Sequence, residues 1–198
     1  MMYDKYSQAG QDKFVLSLFD KSHKGTFVDI GCQLPDEINN TLRLEENGWT
    51  GVSIDIENYG EEWKTRKSVF VCQDALTCDY SKLFEQYQMP KVIDYLSLDI
   101  EGDGTRYQAL KRVMESGYEF KVMTIEHDVY RGYYLTETWP QRKLLQEMGY
   151  FLLCCDVSHD FFPYEDWWIN PKYLKKSNYI RHICHCVEYT EIIKKINL

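Results

Sequence analysis

Short runs of apolar, largely β-branched residues recur along the first three-quarters of the chain, at Thr26–Ile30, Gly51–Ile56, Val69–Cys72, Val92–Leu98 and Val122–Glu126. Each has the length of a strand and is apolar at nearly every position, the mark of strands covered on both faces. Between them the period becomes helical. Ile38–Asn47 carries Leu42 and Leu44 ahead of Gly48, Tyr80–Gln88 stops before Pro90, and Arg106–Ser116 keeps Leu110, Val113 and Met114 at helical spacing before Gly117. Strand, helix and strand repeated with short links predict an α/β fold, with a mostly parallel central sheet and helices on both faces.

The flanks add further elements. Gln11–Phe19 is amphipathic through Phe14, Val15, Leu18 and Phe19, and predicts a helix docked on one sheet face. Pro140–Met148 predicts another helix and Tyr150–Cys155 a sixth strand, after which FFPYEDWWINP suits an antiparallel edge strand beside it. Pro171–Ile196, with Ile180, Ile183 and Val187 at helical spacing, predicts a C-terminal helix. Repeats, low-complexity segments and a Gly/Ser-rich linker are all missing, so residues 1–198 are expected to form one domain, by itself or as one module of a longer polypeptide with partner domains.

Composition narrows the possible partners. Thirty-one acidic against 23 basic side chains leave a net charge of −8, which argues against a nucleic-acid or anionic-membrane binder. At 44% hydrophobic and 15% aromatic the chain is too apolar to be disordered, yet no run is long enough to span a bilayer. The start, MMYDKYSQAGQDKF, is polar where an export signal needs an apolar stretch, so an intracellular, cytoplasmic location is expected. The seven cysteines are an odd set and predict reduced thiols. His182, Cys184, His185 and Cys186 place four potential zinc ligands close together, but a tetrahedral site draws on two separated pairs and no CxxC or HxxxH partner appears elsewhere. Ordinary helix residues are the expectation there.

Chemistry is expected at the carboxyl ends of the strands, where open parallel sheets bind ligands. The strand ends are acidic: FVDIG, SIDIE, FVCQDA, LSLDIEG and TIEHD. Unpaired charge in such partly buried places is costly, so the acids imply a ligand rich in hydroxyls or amines, or a cation. Asp29 and Gly31 close the first strand, and Asp55 at the end of the second is placed to accept from both ribose hydroxyls of a nucleoside. Asp74 is placed to accept from an adenine amino group. The three-glycine dinucleotide fingerprint and the GxxxxGK[ST] loop are both missing, which favours a nucleoside with an amino-acid tail, S-adenosylmethionine, over NAD.

These motifs in this order, SQAGQD, GTFVDIG, INNTLRLEENGWTGVSID, YLSLDIEG, TIEHD, RKLLQEMGY and EDWW, resemble the FkbM-type S-adenosylmethionine-dependent methyltransferases over roughly Ser7 to Pro171. The chain departs from that family at CQLPDE, where a small-residue turn is usual. The resemblance implies a Rossmann-like class I methyltransferase fold, S-adenosylmethionine as cofactor, and O-methylation of a sugar or glycan hydroxyl. On it, Gln8, Asp29, Gly31, Asn40, Asp55, Ile56, Asp74, Ala75 and Asp99 are the expected cofactor residues, and Asp99, Glu126 and His127 the catalytic ones. Asp99, Glu126 and His127 are also the expected ligands of a magnesium or manganese ion, by likeness to sugar methyltransferases of related fold. His127 and Asp99 are alternative bases, Arg131 and His159 lie on loops able to close over them, and Glu101 suits a helix cap. A second acceptor set would be Asp156, His159 and Asp160. Tyr130, Tyr133, Tyr134, Trp139, Phe161, Phe162, Tyr164, Trp167 and Trp168 form an aromatic cluster able to stack on a small-molecule or glycan acceptor, with at least one of Trp167 and Trp168 expected in the core instead. Two alternatives stand beside this reading: methylation of a lipid or polyketide hydroxyl, and a non-catalytic nucleoside-binding module.

Overall fold

The computed structural model describes residues 5–196. The apolar runs form strands within a few residues of their expected limits: β1 (Thr26–Ile30), β2 (Thr50–Asp55), β3 (Val69–Cys72), β4 (Val92–Leu98), β5 (Glu119–Glu126), β6 (Phe151–His159) and β7 (Phe162–Ile169), and a short β8 (Cys184–His185) forms where a helix was expected. They make one sheet of order β3-β2-β1-β4-β5-β7-β6-β8. Only β7 runs antiparallel, between β5 and β6. The antiparallel strand thus lies beside the sixth as expected, with β6 and β8 outside it at that end of the sheet.

Alternation along the strands divides the core into two layers. Val28, Ile30, Leu96, Leu98, Met123 and Trp168 face α3 (Tyr80–Gln86), α4 (Thr105–Glu115) and α5 (Trp139–Glu147) through Phe84, Leu110 and Leu145. Phe27, Tyr95, Val122 and Trp167 face the other way, against Phe14, Val15 and Leu18 of α1 (Gln11–Ser17) and Leu44 of α2 (Leu42–Glu46). No helix among the described residues is long and apolar enough to cross a membrane.

Two expected helices are corrected. The one over Ile38–Asn47 shrinks to α2, because Asn39 Oδ1 accepts from the Thr41 and Leu42 N–H groups and so starts the helix there. The C-terminal helix over Pro171–Ile196 breaks into α6 (Lys176–Tyr179), β8 and α7 (Tyr189–Ile193). Here the exposed edge of β6 competes for the backbone: Cys186 N donates to Cys155 O at 2.9 Å and Ser158 N to Val187 O at 3.0 Å. Ile180 and Ile183, whose spacing suggests a helix face, are exposed.

Candidate functional site

The order of the sheet reverses between β1 and β4, and a cavity of about 410 Å³ opens beyond the carboxyl ends of β1 to β4. Gly31 ends β1 at φ +84°, and a Cβ there would collide with the Asp99 carbonyl at the end of β4. Only glycine lets the two strand ends approach so closely. Asp55 is buried at the end of β2, where Oδ2 accepts from Gln33 N and Oδ1 from Glu57 N, both at 2.9 Å. A carboxylate has about four acceptor positions, so a second remains on each oxygen. Asp74 caps its own turn through Leu76 N at 2.8 Å and joins Ala75 on the far wall.

Of the residues expected to hold a cofactor, Gly31, Asp55, Ile56, Asp74, Ala75 and Asp99 line this cavity together. Gln8, Asp29 and Asn40 do not. Gln8 is exposed ahead of α1. Asp29 lies in a polar row across the buried sheet face, in register with Ser53 and Ser97, and Ser97 with Thr124. The loop before α2 satisfies this row: Thr41 Oγ1 donates to Asp29 at 3.1 Å and Asn40 Nδ2 to Ser97 at 3.0 Å. Burial raises the Asp29 carboxyl to about 6. These two residues therefore fasten the loop to the sheet and do not line the cavity.

Asp99 and Glu126 lie at the neighbouring ends of β4 and β5, close enough for each to act on the proton of the other. Burial first, and their mutual repulsion in Glu126, hold both carboxyls above the usual range. The charge relief expected from a divalent cation comes instead from Arg106, a fully buried residue of α4. Its Nη2 lies 2.5 Å from Glu126 Oε2 and 3.0 Å from Asp128 Oδ2. Arg106 sits in the first turn of α4, where a cation opposes the helix dipole; Glu137 compensates by accepting from Arg106 N at 3.2 Å and Tyr107 N at 2.8 Å. Glu137, not the exposed Glu101, is thus the acid that caps α4.

His127 does not join Asp99 and Glu126, because adjacent residues at a strand end point to opposite sides. It is fully buried, and its Nδ1 accepts from Val129 N at 3.2 Å. Nε2 faces Asp166 at 3.3 Å, off the line of a hydrogen bond, and Asp156 at 3.7 Å. Arg142 bridges the same two carboxylates. Burial opposes charge on Asp166, but the His127 and Arg142 contacts outweigh it and hold this carboxyl at about 2. Arg131 pairs with Asp128 and Glu101, while His159 stacks on Tyr189 with ring centroids 5.3 Å apart.

The sequence reading missed the groups that connect the layers. Gln11 in SQAGQD is buried and donates to Tyr164 Oη at 3.1 Å, and Tyr164 and Trp167 donate to Glu165 at 2.8 and 2.7 Å. Burial raises Glu165 to about 8, with Asp99 among the charges acting on it. Acids inside EDWW, an otherwise core-like run, were a visible signal. The cation in the first turn of α4 was the signal for Arg106.

A second cavity of about 650 Å³ lies on the same side of the sheet, among Val129, Tyr134, Arg142, Asp156, Phe161 and Glu188. Tyr134 and Phe161 are exposed at its lining, and Tyr130 and Phe162, exposed as well, pack on one another. The other candidate rings Tyr164, Trp167 and Trp168 are buried in the sheet.

No protein-family model matches the sequence, and no curated protein does. Among solved structures, the chain is similar to a Klebsiella pneumoniae protein designated an O-methyltransferase, at 12% identity and a TM-score of 0.52 over 82% of this chain and 80% of that one. A Streptococcus mutans protein designated a methyltransferase, solved with S-adenosylhomocysteine, aligns at 12% identity and a TM-score of 0.47 over 80% of this chain and 93% of that one.

Proposed function

We propose that this chain, which has a Rossmann-like methyltransferase fold, is an S-adenosylmethionine-dependent O-methyltransferase acting on a sugar or glycan hydroxyl. The observation that carries the reading is Asp55, whose two oxygens keep acceptor positions at the wall of a cavity opening where the strand order reverses. A ribose diol presents two donors at that spacing. The residues present fit such a cofactor: the 410 Å³ cavity is within the size range of nucleoside pockets, and Asp55, Asp74 and the apolar Ile30, Ile54 and Leu76 offer it a polar and an apolar wall. When bound, S-adenosylmethionine supplies an electrophilic methyl group.

The residues of the chain then act on the acceptor. Asp99 reaches the cavity, where it would take the proton that the acceptor hydroxyl gives up on methylation. Burial raises its affinity for a proton, the direction in which a general base is tuned. Arg106 fixes Glu126 beside it and keeps the pair from carrying two uncompensated charges. Exposed Tyr130, Tyr134, Phe161 and Phe162 support an acceptor with C–H faces able to stack on rings.

Calorimetric titration with S-adenosylhomocysteine tests the donor half, with saturable binding of one equivalent expected. Mass spectrometry of methylated products from a panel of monosaccharides, lipid alcohols and polyketide alcohols tests the acceptor half. Binding with sugar methylation supports the proposal; methylation confined to lipid or polyketide alcohols overturns the acceptor, and absence of binding overturns the function.

A further inference from the structure

The C-terminal cysteine and histidine cluster lacks a second ligand pair in the sequence, and the sheet supplies one. β8 pairs with β6 so that Cys155 lies opposite His185, and the backbone bond from Cys186 N to Cys155 O locks that register. Two neighbouring pairs, Cys155 with Asp156 and His185 with Cys186, thereby face each other. We propose that these four side chains form a zinc site that clips the C-terminal segment to the sheet.

Ligand atoms of Cys155, Asp156 and His185 all lie within 4.8 Å of one another. Asp156 Oδ2 is the centre of the group, 2.8 Å from Cys155 Sγ and 3.8 Å from Cys186 Sγ, and Cys186 Sγ is 4.0 Å from His185 Nε2. Tetrahedral zinc, with bonds of about 2.0–2.3 Å, spaces its ligand atoms about 3.3–3.8 Å apart, so shifts of about an ångström gather Cys155, Asp156 and His185, and Cys186 closes in from its place beside Asp156 and His185 as the fourth ligand. His185 and Cys186 are exposed and free to make them. All the cysteines are free thiols.

The surroundings are arranged for ligation. Asp156 and Cys186 both hold left-handed backbone, at φ +52° and +50°, which non-glycine residues adopt at a cost and which concentrates at functional positions. Asp156 also sits where the register of β6 shifts between Cys154 and Val157, and such bulges re-aim side chains. Arg142 Nη2 binds Asp156 Oδ1 at 2.6 Å and leaves Oδ2 to the metal, the outer-sphere support that fixes a ligating carboxylate. Two thiolates, an imidazole and one carboxylate oxygen select zinc over magnesium or calcium, which prefer all-oxygen sets. Zinc binding forms two Zn–S bonds and releases two thiol protons to solvent, so affinity increases with pH.

The test uses the full chain stripped with a chelator and titrated with zinc against a chromophoric competitor, then with cobalt(II). Expected are one equivalent per chain, a thiolate-to-cobalt charge-transfer band and the visible bands of a tetrahedral ion. Loss of a ligand should weaken zinc binding by at least ~10²-fold, the upper range for losing an outer-sphere partner. Cys155→Ser is buried and tests the centre; Cys186→Ser and His185→Gln are at exposed positions and test the site if Cys155→Ser fails to fold. Cys72→Ser, an exposed thiol on β3, should change nothing. Absence of stoichiometric binding, or binding that survives both Cys186→Ser and His185→Gln, overturns the proposal. S-adenosylhomocysteine affinity is read separately and is expected to be the same with and without zinc, so the clip and the methyltransferase reading fail independently.

Discussion

Asp55 and Asp99 show how differently two carboxylates at neighbouring strand ends are used. Asp55 holds two backbone N–H groups and still offers acceptor positions, so its proposed task is binding. Asp55→Ala is expected to cost ~2–4 kcal/mol of S-adenosylhomocysteine affinity, the scale for truncating a buried charged partner. Calorimetry decides, and an unchanged Kd removes Asp55 from the donor site. Asp99 instead shares its surroundings with Glu126 and is raised by burial, so its proposed task is proton transfer. Asp99→Asn should keep measurable donor binding and lower kcat by about 10² or more, with loss of one limb of the pH–rate profile. A wild-type rate for this variant would move the acceptor to other strand ends. Both acids are visible in SIDIE and LSLDIEG, whereas the division between them rests on contacts made by Gln33, Glu57 and Glu126 after folding.

At the scale of elements, α4 illustrates what a helix takes from its surroundings. Its apolar face, Leu110, Val113 and Met114, is periodic and legible in the sequence. Its cap is not, since Glu137 arrives from the turn before α5 and accepts from the Arg106 and Tyr107 N–H groups. Glu137→Ala orphans one buried and one half-buried donor and should cost ~1–3 kcal/mol, a fall of several degrees in Tm by circular dichroism. Glu137→Gln should recover part of that, because its carbonyl still accepts one N–H. Equal Tm values for Glu137→Ala and wild type would deny Glu137 a capping role. The C-terminal segment is the reverse case, where helical spacing misleads because the backbone of β6 offers the chain a better hydrogen-bonding partner.

Across the whole molecule the buried acids tie stability to pH. Glu165 is raised from 4.5 to about 8 by burial, so the folded chain binds this proton more tightly than the unfolded one. Its contribution is complete below pH 4.5 and is lost as pH rises toward 8. Glu165→Gln keeps an acceptor for Tyr164 and Trp167 without the charge. The variant should lose stability less steeply than wild type between pH 5 and 8, as read by denaturant unfolding at each pH. Parallel stability curves would show that Glu165 carries no proton-linked term. Asp166 acts in the opposite direction, its contribution being lost as pH falls from 3.8 toward 2.

The sequence by itself determined the α/β class, the five parallel strands and most helices, because strand and helix periods are local properties written in the spacing of apolar residues. It also determined that acids crowd the carboxyl ends of the strands. Tertiary structure alone decided which acids share a cavity: strand alternation turns His127 away from Glu126, and the loop before α2 engages Asp29 through Thr41 while its Asn40 binds Ser97. Only folding brings Arg106 to Glu126, Gln11 to Tyr164, and Cys155 and Asp156 to His185 and Cys186. These partners lie far apart along the chain, and no local pattern encodes which of many charged or thiol groups a strand register will place side by side.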